Sequence, residues 1–476
     1  MKHLFSPLLL LSAACLSAAE PAEPRDIGSR WELFLDSWLV ASQNGVERVL
    51  HEPVRREVVL KTDQPWEGPA CGYFSAIQDG KKVRLYYRGS TGGPDNSQSQ
   101  VTCVVESTDG IRFTRPKLGL IEVNGSKDNN VVWRGVESHN MAVFLDRNPA
   151  AKPEEKYKAL GGVKEPGKNW LQGETPGGLY AFGSADGLHW HKIRTETVLS
   201  KGTFDSQNVA FWDAPRNRYA SYSRIFTNKI RDIQSSHSAN FLDWGEATGN
   251  LYEDGVPREH FYTSATVPCP TAPHVLVAFP KRYVPGRKKV PSHPERGVSD
   301  TVIMSSRDGV HWDRSFLEAW LRPGPDQGNW TERSNMVTSG IVETSPTEWS
   351  LYASEHYRTP SHRLRRLSIR KQGFASMHAR AGKGEFVTHP FRFEGKRLLL
   401  NSSTSATGSI QVEIQDTTGK PIPGFALADM PEMYGDEMEA EARWKKNPDL
   451  AQLSGKEIRL RIAMRDADLY ALRFAP

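Results

Sequence analysis

Short runs of alternating apolar and polar residues, bounded by Gly, Asn, Asp or Pro, follow one another along the chain, and no long stretch keeps helical periodicity. The pattern predicts an all-β protein. One segment recurs: Ser107-Thr108-Asp109-Gly110-Ile111-Arg112-Phe113 returns as Ser184-Ala185-Asp186-Gly187-Leu188-His189-Trp190 and as Ser306-Arg307-Asp308-Gly309-Val310-His311-Trp312. Weaker copies are Ser238-Ala239-Asn240-Phe241-Leu242-Asp243-Trp244 and Arg370-Lys371-Gln372-Gly373-Phe374. Asp-Gly favours a tight hairpin, and the aromatic residue beyond it can pack between neighbouring sheets. A second segment lies upstream: Ser138-His139-Asn140-Met141 mirrors Ser206-Gln207-Asn208-Val209, and each leads to a Tyr-containing strand.

Five copies at this spacing predict a five-bladed β-propeller, each unit reading as inner strand, second strand, third strand, Asp-Gly hairpin and outer strand. The units fall at 65–117, 128–197, 203–250, 258–316 and 328–377, so the propeller spans residues 65–378. Residues 20–64 close the ring or pack on it. After a linker at 379–384 the alternation changes, and residues 385–476 read as a C-terminal β-sandwich.

Residues 1–19 have the layout of a cleaved secretory signal: Lys2, an apolar run from Leu4 to Leu11, and small residues to Ala19. A lipoprotein cut before Cys15 is the rival, with Ser12 where Leu is expected. No later run is long and apolar enough to span a bilayer, so the expected product is exported, periplasmic or extracellular. The chain carries 61 Lys and Arg against 56 Asp and Glu, a formal charge of +5. This mild basicity, without a long basic run, does not indicate a nucleic-acid partner. Cys71, Cys103 and Cys269 form neither a disulfide framework nor a zinc pattern, although Cys71 and Cys103 share one unit and could pair. CxxC, HExxH, GxxxxGK[ST] and GxSxG are absent, so no cofactor is called for.

With these repeats and the trailing sandwich, the chain resembles the five-bladed glycosidase superfamily, the invertase-like and arabinanase-like enzymes of glycoside hydrolase families 32 and 43. The resemblance implies carboxylates on inner strands that converge on a central funnel and cleave a glycosidic bond. The invertase motif Trp-Met-Asn-Asp-Pro-Asn-Gly and the Arg-Asp-Pro and Glu-Cys motifs are absent, so no catalytic residue carries over by motif. The hairpins also resemble the sialidase Asp-box, one residue shorter, and read as structural turns. Some superfamily members hold calcium near a channel His, which makes His139 and Asn140 the place to look for one.

Glycoside hydrolysis needs a proton-donating carboxylic acid and a second carboxylate. Candidates should lie where inner strands begin or second strands end. Asp205 precedes an inner strand, Glu355 ends a second strand beside His356 and Tyr357, and Glu67 lies in Pro65-Trp66-Glu67-Gly68-Pro69 before the first inner strand. Each has a structural alternative: a turn cap for Asp205, an ion pair for Glu355, a rigid loop for Glu67. Asp36 and Asp300 rank lower. Trp66 could stack on a sugar, and His139, Asn140, Gln207 and Asn208 occupy equivalent positions facing the funnel. Second strands ending in Arg88, Arg224 and Arg282 would add cations to the rim, suiting an acidic or sulfated sugar. The sequence thus points to a glycoside hydrolase acting on an oligosaccharide or polysaccharide. A non-catalytic glycan-binding propeller remains open, as does a polysaccharide lyase using His, Tyr and Arg.

Overall fold

The computed structural model describes residues 25–90, 100–162, 177–445 and 449–476; the signal-like segment 1–19 lies outside the described residues. Among the described residues the protein is all-β apart from short 3-10 turns, and no helix among them is long and apolar enough to cross a membrane.

Consecutive antiparallel sheets occupy the chain from residue 72 to 370. Sheet one contains Gly72–Asp79, Lys82–Ser90, Gln100–Ser107 and Val131–Arg134; sheet two contains Ala142–Leu145, Tyr157–Gly161, Tyr180–Ser184 and His191–Lys192. Sheet three is Val209–Asp213, Arg218–Thr227, Ile230–Ser238 and Thr248–Gly249. Sheet four is split. Val267–Cys269, Ala272–Ala278 and Met304–Ser306 form one part, and His260–Phe261, Lys281–Val284 and Val298–Thr301 the other. Pro280 sits at the break, where its missing N–H cannot continue the ladder. Sheet five is Val342–Glu343, Glu348–Glu355 and Arg363–Arg370, with Val54–Lys61 from the N-terminal region as its fourth strand.

Two placements differ from the sequence reading. Residues 131–134 fall in the predicted second unit, yet they pair with Gln100–Ser107 in sheet one. Residues 379–384, predicted as a linker, lie inside the strand Ala375–Thr388, where the register shifts between Ala379 and Lys383. Their Gly and Lys content reads as a break but also suits a bulge on an exposed strand.

The Asp-Gly repeats form the turns that their composition predicts. The Oδ1 of Asp109 accepts from Ile111 and Arg112 N–H, that of Asp186 from Leu188 and His189, and that of Asp308 from Val310 and His311. Gly110, Gly187 and Gly309 take φ of 70°, 76° and 88°, the left-handed region that glycine enters without steric cost. Each hairpin docks on another sheet. Tyr86 of sheet one donates to Gly187 O, Tyr222 of sheet three to Gly309 O, and Tyr352 of sheet five to Gly110 O. The same tyrosines meet Trp190, Trp312 and Phe113 edge-on.

The first strands of the sheets lie side by side: Ala142–Leu145 next to Gly72–Asp79 and Val209–Asp213, and Gly72–Asp79 next to Val342–Glu343. At their C-terminal ends is a cavity of about 610 Å³, with Ala76, Val143, Ala210, Val267 and Ile341 among its lining residues. Its inner limit is polar. Gln207 Nε2 donates to Phe74 O at 2.8 Å and to Ser339 Oγ at 3.2 Å, and Ser339 Oγ meets Ser75 Oγ at 3.2 Å.

The C-terminal region joins N-terminal strands in a seven-stranded sheet. Ala375–Thr388, Arg397–Gln415, Asp436–Ala442 and Arg459–Ala475 carry Glu32–Leu33, Val40–Asn44 and Val46–Leu50. Its core includes Ile410, Val412, Ile462, Leu469 and Phe474. A second core places Leu399 and Ala471 with Trp31 and with Val277, Trp349 and Leu367 of sheets four and five. Cys71, Cys103 and Cys269 are buried free thiols.

Candidate functional site

At the ends of the first strands opposite the apolar cavity, the residues preceding those strands meet the ends of the second strands. Asp205 comes just before Val209–Asp213, and the segment Val136–His139 comes before Ala142–Leu145. Asp205 is buried, with Oδ1 2.8 Å from His139 Nε2 and Oδ2 3.6 Å from Arg224 Nη2. Burial works against its charge. The His139 contact and the positive fields of Arg224 and Arg333 outweigh burial and hold the carboxyl well below the usual range. His139 Nδ1 faces Gln100 Oε1 at 3.0 Å, and Arg88 Nη1 lies 3.3 Å from the same nitrogen.

Tyrosines and cations complete this pocket. Arg88 donates to Tyr357 OH at 3.0 Å and lies 4.8 Å over the Tyr73 ring. Arg333 donates to Tyr357 OH at 3.1 Å and Tyr262 OH at 2.9 Å, with its Nε 3.0 Å from Glu332 Oε2. Arg224, Lys281 and Arg231 contact the Tyr262 ring at 4.8, 3.9 and 5.6 Å. Glu332 also pairs with Arg358 at 3.1 Å. Tyr73 holds φ of 54°, unusual for a bulky residue, and its buried hydroxyl has no partner among the described residues. Burial, with Tyr262 close by, pushes the Tyr73 phenol well above its ordinary value.

The structure brings Asp205, His139, Arg88, Arg224 and Tyr357 together, and sets the other candidates elsewhere. Glu355 points into the ladder of sheet five: Arg363 holds Oε2 at 2.8 Å, Arg365 holds Oε1 at 2.7 Å, and Arg55 approaches at 3.4 Å. None of these arginines touches Asp205. Burial raises the Glu355 proton affinity, but hydrogen bonds from Arg363 and Arg365 bring it below the ordinary value. Glu67 is fully buried, clamped by Arg115 at 2.9 and 2.8 Å and by Tyr87 OH at 2.5 Å. Trp66 donates to Asn130 Oδ1 at 2.8 Å. His356 faces Asp326 at 2.8 Å and Ser361 at 2.7 Å.

Arg282 is turned away, paired with Asp300 at 2.7 Å and Glu259 at 3.0 Å. Successive strand residues face opposite sides, so its neighbour Lys281 supplies the fourth-sheet cation instead. Gln207 belongs to the polar limit of the cavity. Asn140 and Asn208 both donate to Phe204 O and Ser206 O. Asp36 binds Arg307 at 2.7 and 3.1 Å. Among the described residues no group of three His, Cys, Asp or Glu could hold a metal ion.

Tyr73, Tyr262, Arg231, Lys281, Glu332 and Arg333 were not singled out from sequence. One signal for Glu332 was present: Glu137-Ser138-His139-Asn140, Asp205-Ser206-Gln207-Asn208 and Glu332-Arg333-Ser334-Asn335 repeat an acid three residues before Asn. Glu137 departs from the pocket, pairing with Lys192 at 2.6 Å.

No known family profile matches the chain, and no curated protein matches it. Among solved structures it is similar to an N-acetylgalactosamine deacetylase from F. plautii in complex with blood group B trisaccharide. That match has 11% identity over 70% of this chain and 97% of the other, with a TM-score of 0.45. A glycosyl hydrolase from Bacteroides ovatus matches at 12% identity over 72% and 96% of the two chains, TM-score 0.41. The GH32 β-fructofuranosidase of Bombyx mori matches at 10% identity over 90% and 95%, TM-score 0.43.

Proposed function

We propose that this protein is an exported glycoside hydrolase whose reacting centre is the pocket of Asp205 and Glu332. The observation that carries this reading is their convergence. Two acids from equivalent places in the internal repeat reach the cations around Tyr262: Glu332 contacts Arg333, which donates to Tyr262 OH, and Asp205 lies 3.6 Å from Arg224, which lies 4.8 Å from the Tyr262 ring. Asp205, ionised by its cationic neighbours, acts as nucleophile or as the base that activates water. Glu332 protonates the leaving oxygen. Glu355 and Glu67 take supporting roles, holding arginines within the fold.

The architecture in this reading is a five-bladed propeller over residues 65–378, closed with help from 20–64, and a β-sandwich over 385–476. Support comes from a cavity lined by all five first strands, from the Tyr352–Gly110 contact between sheets five and one, and from Val54–Lys61 completing sheet five. Residues 1–19 are its export signal.

The test is reducing-end release from a panel of oligosaccharides and polysaccharides. Asp205→Asn and Glu332→Gln should fold normally and lose about 100-fold or more of wild-type turnover. Wild-type rates from both variants reject the assignment. Tyr73, whose hydroxyl is unpartnered and whose ring packs against Arg88 and His139, favours one second reading: a lyase in which Tyr73 moves the proton beside a uronate carboxylate. A lyase would release an ultraviolet-absorbing unsaturated sugar, which hydrolysis does not. Binding without turnover of any glycan would identify a carbohydrate-binding module.

A further inference from the structure

The pocket gathers more positive charge than its own carboxylates balance. Arg224, Arg231, Lys281 and Arg333 surround the Tyr262 ring, while the carboxylates in contact with them among the described residues are Asp205 and Glu332. Glu332 is shared with Arg358. Arg231 has no carboxylate within ion-pair distance among the described residues; its guanidinium rests on the rings of Phe226, Tyr262 and Tyr283, and its buried Nε has no partner. Lys281 is completely buried, and its ammonium donates to the backbone oxygen of Glu332 at 2.9 Å. Burying cations without counter-charge is costly unless something else supplies the charge. Burial, with Arg333, Arg231 and Arg224 close by, holds Lys281 well below its ordinary value.

Resting on the carbohydrate reading above, we propose that the pocket selects a sugar bearing an oxyanion, a uronate carboxylate or a sulfate ester, seated between Arg231, Lys281 and Arg224 beside Tyr262. The planar guanidinium groups can donate paired hydrogen bonds to such an oxyanion, and Lys281 adds a point charge. A neutral sugar would leave these donors buried and unmatched, so discrimination comes from the cost of the wrong ligand as well as the gain from the right one.

The test is calorimetric binding to the full chain of four probes: an oligogalacturonide, its carboxyl-reduced neutral twin, a carrageenan oligosaccharide, and its desulfated twin. At least one anionic probe should bind about 10-fold or more tightly than its neutral twin, with affinity falling as salt rises. Arg231→Gln and Lys281→Met should each weaken that probe about 10- to 100-fold and so shrink its advantage over the neutral twin. Whether the carboxylate or the sulfate arm responds identifies the oxyanion. Arg231 is half-buried, so Arg231→Gln tests the site even if Lys281→Met fails to fold. Equal affinity for charged and neutral twins, an unchanged preference in folded Arg231→Gln, or binding of inorganic sulfate or phosphate with neither anionic sugar bound would overturn the proposal. Anion-selective binding without turnover would uphold it and reject hydrolysis; hydrolysis of charged and neutral twins at equal affinity would do the reverse.

Discussion

Glu32 offers a quantitative test of how the N-terminal strands are locked to sheet four. It lies on the short strand paired with Arg459–Ala475 and is fully buried. Its Oε2 is 2.9 Å from Arg307 Nη1, and its Oε1 is 3.1 Å from His274 and 2.8 Å from Arg30. Burial raises its proton affinity, but the contacts with His274, Arg307 and Arg30 outweigh it and bring the carboxyl down to about 2 from an ordinary 4.5. Because the folded value is the lower one, the stabilisation is present above pH 4.5 and disappears as pH falls through about 2. At about 1.4 kcal/mol per unit, the shift is worth about 3 kcal/mol at neutral pH and about 1.4 kcal/mol at pH 3. Glu32→Gln should therefore be about 3 kcal/mol less stable than wild type at pH 7, with the gap more than halved at pH 3. Denaturant unfolding at pH 7, 5 and 3 measures it, and comparing two otherwise identical proteins cancels the titrating groups that do not touch Glu32. A gap below about 0.5 kcal/mol at pH 7, or one that does not shrink with acid, would refute the reasoning.

Glu355→Gln should lose stability by about 1 to 2 kcal/mol, because the half-buried Arg363 and Arg365 lose the buried carboxylate that they share; a loss of turnover in a fully stable variant would return Glu355 to the reacting centre. Asp186→Ala removes an acceptor used by two backbone N–H groups, and a decrease of about 1 kcal/mol with unchanged glycan preference is expected, with the same direction for Asp109→Ala and Asp308→Ala. Altered preference would show that the hairpins reach the pocket. Tyr222→Phe should cost about 1 to 2 kcal/mol by leaving Gly309 O without its donor, read by thermal melting; no change would mean the inter-sheet contact is dispensable.

What the sequence determined by itself was local. The Ser-x-Asp-Gly hairpins were legible because Ser107 Oγ, Asp109 Oδ1 and the N–H groups they bind lie within a few residues of one another. The strands were legible from two-residue alternation, and the place of Asp205 before an inner strand followed from the repeat. Partnership across the chain was decided only by tertiary structure. Val54–Lys61 joins a strand some 300 residues away, and Val131–Arg134 joins sheet one, because ladder pairing depends on neighbours that composition does not name. The same limit governed the site. Glu355 sits where a second strand ends, as expected, but Arg55, Arg363 and Arg365 decide that it faces the ladder. Lys281 rather than Arg282 enters the pocket because a strand's two faces differ by a single residue, and only the folded register shows which face is inward.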